Sequence, residues 1–117
     1  MPATLEATDV ARYARDGFLS PNSALTKAHA AECRGKLEAF ERAIGGPLTA
    51  DETARHRSRT HVLLTWVHAL ASHPAILDAV EGLIGPNILV FTSTWVIKEP
   101  ESAAIAAWHQ DATYFGL

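Results

Sequence analysis

A chain of 117 residues, 48% of them hydrophobic, has room for one small domain with a modest core. Ten Lys and Arg against thirteen Asp and Glu leave a formal charge of -3, which argues against a nucleic-acid partner. The lone Cys33 excludes an internal disulfide, and no apolar run approaches the roughly 20 residues of a membrane helix, so a cytoplasmic protein without a membrane partner is expected.

The N-terminal stretch has no apolar segment of a secretory signal. Thr8 is placed to cap a short helix carrying Val10, Tyr13 and Ala14, with Gly17 as its stop. Ser20 and Pro21 then open a longer helix, since Pro is tolerated in a first turn. Its apolar seam is Ala30, Cys33, Leu37, Phe40 and Ile44, three or four apart, and Gly45, Gly46 and Pro47 end it. Residues 47–61 are polar and irregular, with a basic cluster of Arg55, His56, Arg57, Arg59 and His61 that reads as a solvated loop. The apolar stretch Val62–Leu70 has no clear period. Pro74 begins a third helix with Ile76, Leu77, Val80, Leu83 and Ile84 on one stripe, closed by Gly85 and Pro86.

From Asn87 the composition changes. Residues 88–98, ILVFTSTWVIK, are β-branched and aromatic, as in a buried strand. Leu89, Phe91, Trp95 and Ile97 form a bulky face expected to pack on the helices. Thr92, Thr94 and Lys98 share the smaller face, which is expected to line a cavity with Lys98 near its rim. A loop at Pro100–Ala103 leads to a second strand near Ala106–Asp111, and Thr113–Leu117 starts a loop. Helices first and strands after make an α+β pattern, with residues 1–86 mainly helical and 87–117 supplying the first strands of one partial domain. Such a small sheet keeps open edges, which invite self-association.

The candidate chemistry sits in His109-Gln110-Asp111. On a strand, residues two apart face the same way, so an imidazole and a carboxylate are presented together as two ligands for one metal ion. A 2-His-1-carboxylate iron site needs one more His. The remaining histidines, His29, His56, His61, His68 and His73, read as surface or capping residues, and Trp66, Trp95 and Trp108 as packing groups.

The segments HPAILDAVEGLIGPNILV, the strand ending IKEP, and WHQDATYFGL together resemble the phytanoyl-CoA dioxygenase family. The resemblance implies an Fe(II)- and 2-oxoglutarate-dependent dioxygenase that hydroxylates a small organic molecule with O2. It also implies a double-stranded β-helix (jelly-roll or cupin-like), here incomplete, with the N-terminal helices packed on its sheet. His109 and Asp111 match the first two iron ligands. Lys98 matches a position that contacts 2-oxoglutarate in some relatives, with Thr92 and Thr94 beside it as cofactor-pocket residues. Trp108 is expected to face away from the metal and pack. The acidic Asp111 favours a hydroxylase over related halogenases, which carry a small residue there. The family's second His ligand and its 2-oxoglutarate-binding Arg lie further downstream, so the resemblance implies an N-terminal portion of such an enzyme. The alternative is a non-catalytic binding or assembly module derived from that fold, pairing its open sheet edge with a partner.

Overall fold

The computed structural model describes residues 5–103 and 105–116. Leu117, the end of the expected C-terminal loop, lies outside the described residues.

Helix α1 covers Ala7–Asp16. Its first turn is closed by Asp9, whose Oδ2 accepts from the Glu6 amide at 3.3 Å, so the start falls just before the Thr8 read from the sequence. It stops at Gly17, whose φ of 78° is left-handed and costs a glycine little. The chain then runs extended to α2, Lys27–Ile44. That helix starts later than Ser20 and Pro21 because Thr26 supplies the cap, its Oγ1 accepting from the His29 amide at 3.1 Å. Cys33, Leu37, Phe40 and Ile44 are half-buried along one side, whereas Ala30 is exposed. The ion pairs Glu32–Lys36 and Arg34–Glu38 lie on the wet side.

After a 3-10 turn at Asp51–His56, the apolar stretch resolves into two short helices, α3 (Thr60–Leu63) and α4 (Thr65–Ala71), broken at the extended Leu64. Helix α5, Pro74–Ile84, covers the apolar stripe, with His73 as its cap: Nδ1 accepts from the Ala75 amide at 3.2 Å. A five-residue helix, α6, covers Asp111–Phe115.

The core is small. Leu48, Val67 and Ala79 are its buried apolar side chains among the described residues, joined by the buried hydroxyls of Thr53 and Thr60. Thr53 donates to the Pro47 and Ala50 carbonyls, which satisfies its hydroxyl. Leu48 is held at both backbone groups: its amide donates to Glu41 Oε1 at 2.8 Å and its carbonyl accepts from Arg57 Nε. The Trp66 and Trp95 rings pack 6.0 Å apart beside this core. A radius of gyration of 16.2 Å exceeds the roughly 13 Å expected of a close-packed chain of this length.

The expected α+β architecture, with helices on an incomplete double-stranded β-helix sheet, is not formed. The described residues are mostly helical and contain no sheet. Residues 88–98 are extended, but their pairing is limited to one antiparallel bridge, Ser58 with Thr94. Two main-chain hydrogen bonds flank it: Arg59 N to Ser93 O at 2.7 Å and Trp95 N to Arg57 O at 2.9 Å. A β-rich composition favours a half-buried pleated surface, but a ladder needs a partner strand, and the 57–59 loop offers only a few residues. The second expected strand, Ala106–Asp111, has no ladder either and runs into α6. With no sheet among the described residues, self-association through open sheet edges loses its structural basis.

Candidate functional site

His109 stands at the end of an extended segment, and Gln110, with φ -118° and ψ 121°, carries that extended backbone up to the first residue of α6, Asp111. The same-face spacing therefore survives without a sheet. His109 Nε2 and Asp111 Oδ1 are 3.4 Å apart, and both side chains are exposed. The second ring nitrogen, Nδ1, lies 2.7 Å from the Ala107 carbonyl, an acceptor with no proton to give. Nδ1 therefore carries a proton, and Nε2 is the ring nitrogen that faces the carboxylate.

This arrangement suits metal ligation. Ligating histidines commonly donate the distal N–H to a carbonyl, which fixes ring and tautomer. Two ligand bonds of about 2.1 Å place their donor atoms roughly 3.0 to 3.4 Å apart for angles between square and tetrahedral. The donor set is one neutral imidazole and one carboxylate, which suits a borderline or hard divalent ion. Among the described residues no third His, Cys, Asp or Glu joins them.

The surroundings differ from expectation in one respect. Trp108 is fully exposed and lines an open concavity with His109, Gln110, Thr113 and Tyr114 instead of packing into the core. Behind it Tyr114 and Phe115 stack edge-on at 5.0 Å, and Phe115 meets Phe91 at 5.2 Å. Exposed aromatic rings beside a polar pair give the site an apolar border.

Lys98 is exposed and lines a different groove, against α2, with Arg34, Glu38, Glu41 and Glu99. The groove's carboxylates have other commitments: Glu38 to Arg34 at 2.9 Å, Glu41 to the Leu48 amide, and Glu99 to Thr49 Oγ1 at 3.5 Å. Thr94 is exposed at the bridge and Thr92 half-buried. Neither they nor Lys98 share the concavity of His109. Trp95 and Ile97 turn toward the helices and Val96 and Lys98 outward, as alternation requires, but Leu89 and Phe91 are exposed.

Sequence reasoning missed the role of the 57–61 segment. Arg57 is a structural cation on the Leu48 carbonyl. His61 Nδ1 lies 2.6 Å from Ser93 Oγ, tying the basic cluster to the extended segment. Nothing local to either stretch marks that pairing.

No helix among the described residues is long and apolar enough to cross a membrane. The family model described as phytanoyl-CoA dioxygenase (PhyH) matches residues 13–116. No curated protein and no solved structure matches the chain. The matched span includes every helix from α2 to α6 as well as His109 and Asp111. The chain belongs to the phytanoyl-CoA dioxygenase family, known for Fe(II)- and 2-oxoglutarate-dependent dioxygenases.

Proposed function

We propose that this chain supplies the first His and the carboxylate of an iron site in a 2-oxoglutarate-dependent hydroxylase acting on a small organic molecule. The observation that carries the reading is the His109–Asp111 pair: two donor atoms 3.4 Å apart, with the imidazole held by the Ala107 carbonyl. Family membership gives that pair its meaning, because the same geometry in an unrelated chain is an ordinary polar contact.

In this reading His109 binds through neutral Nε2, and Asp111 brings the negative charge that offsets part of the metal's own. Both must be deprotonated to bind, so affinity falls in acid. When bound, Fe(II) supplies a centre where O2 and 2-oxoglutarate meet, the latter decarboxylating to succinate as substrate is oxidised. Ala107 O keeps the imidazole from rotating away. Trp108 and Tyr114 border the mouth with exposed aromatic rings. Lys98 is the proposed carboxylate contact for 2-oxoglutarate, with Thr92 and Thr94 as further pocket residues, on the strength of the family likeness. An iron site of this type takes one further His beyond this pair.

The test is 2-oxoglutarate-dependent succinate release by the full gene product with Fe(II) under air. His109→Ala or Asp111→Ala is expected to abolish it, and Lys98→Ala to raise the 2-oxoglutarate KM several-fold. Undiminished turnover in either ligand variant contradicts the assignment.

A further inference from the structure

On the reading that His109 holds iron, a molecule seated in the same concavity lies beside the metal, so the lining also selects the substrate. The concavity measures about 670 Å³, within the range of small-molecule sites. Trp108, Gln110, Thr113 and Tyr114 line it with His109.

Two features of that lining give it a chemistry. First, its large side chains are aromatic and open. Trp108 is fully exposed and Tyr114 nearly so, which leaves ring surface free for a flat partner. Aromatic rings favour offset-stacked or edge-on contact with other rings. Second, the lining holds no counter-charge for an anion. It contains no Lys or Arg, and neither does the whole stretch 105–116. Asp111, 3.4 Å from His109 Nε2, adds a negative charge at the border. Lys98, the proposed 2-oxoglutarate contact, lines a different groove. A carboxylate or phosphate on the substrate would therefore lose water without gaining a partner. The Gln110 amide and the Thr113 hydroxyl are exposed and offer donors and acceptors to a neutral polar group.

We infer that the substrate of this site is a neutral molecule with a flat aromatic ring system, which packs on Trp108 and Tyr114 and carries an uncharged polar group read by Gln110 or Thr113.

The test is an NMR titration of the full gene product, without added metal, with 2-naphthol. Two relatives serve as controls. Decahydro-2-naphthol keeps the skeleton and the hydroxyl without the flat rings, and 2-naphthoate keeps the rings and adds a negative charge. Saturable shifts of the Trp108 indole and Tyr114 ring signals are expected with 2-naphthol, with both controls bound at least about fivefold more weakly. Trp108→Leu removes a ring at an exposed position. It is expected to weaken 2-naphthol about fivefold and to leave decahydro-2-naphthol unchanged. The inference is overturned if 2-naphthol does not saturate, if either control binds as tightly, or if Trp108→Leu leaves 2-naphthol binding unchanged. Anaerobic Fe(II) titration of the same protein separates this inference from the reading beneath it. Iron bound through His109 without 2-naphthol binding removes the substrate class and leaves the ligand assignment standing. Binding of 2-naphthol without binding of iron removes both.

Discussion

The imidazole of His109 and the carboxylate of Asp111 approach to 3.4 Å at the point where extended chain becomes helix, while the far side of the same ring is fastened to the Ala107 carbonyl. Both side chains are mostly in water. An exposed His–Asp contact contributes little to stability. The pair is therefore expected to matter for ligation and not for folding. His109→Ala and Asp111→Ala should each shift the metal-free unfolding free energy by less than about 0.5 kcal/mol, measured by urea denaturation. A larger loss in either variant would mark the contact as structural.

The small core makes individual residues count. Leu48 is fully buried, and its backbone is held by Glu41 and Arg57. Leu48→Ala should cost about 3 kcal/mol in a urea titration, the scale of a buried leucine deletion that leaves a cavity. A cost under about 1 kcal/mol would show that the surrounding loop collapses freely.

The basic cluster divides into structural and wet members. Arg57 donates to the Leu48 carbonyl and is half-buried, whereas Arg55 is exposed. Arg57→Met is expected to destabilise by about 1–2 kcal/mol and Arg55→Met by less than about 0.5 kcal/mol. Equal effects would contradict the division.

On α2, Lys36 sits 2.6 Å from Glu32, and its hydrogen bond and then its charge hold the Glu32 carboxyl below the usual carboxylate range. A lowered folded-state pKa contributes stability above the unfolded value, and that contribution disappears as pH falls through the folded value. Glu32 is exposed, so the effect is screened by salt. Lys36→Met should return the Glu32 titration, followed by carboxyl carbon NMR, toward the ordinary value. An unchanged titration would show that the pair does not form.

Sequence legibility followed locality. Helix α5 was readable because Pro74, the apolar stripe and Gly85 all lie within it. The start of α2 lies later than the sequence suggests because Pro21 is a permissive signal, whereas the Thr26 cap is a direct hydrogen bond. Residues 88–98 look like part of a sheet in the sequence because composition reports suitability for a ladder and says nothing of the partner. The partner here is a loop that reaches Thr94 alone as a bridge. The His61–Ser93 contact spans 32 residues and leaves no local trace. His109 and Asp111 were legible because their meeting depends only on the extended backbone at Gln110, which the structure has without a strand ladder. Trp108 was not, since its packing depended on the sheet that is absent.

The most direct measurement is anaerobic calorimetric titration of Fe(II) into the full gene product at neutral pH, beside its His109→Ala and Asp111→Ala variants. The ligand assignment predicts saturable binding at one site, weakened at least tenfold by either substitution. Binding of equal strength in all three proteins, or none in the unsubstituted chain, would contradict it.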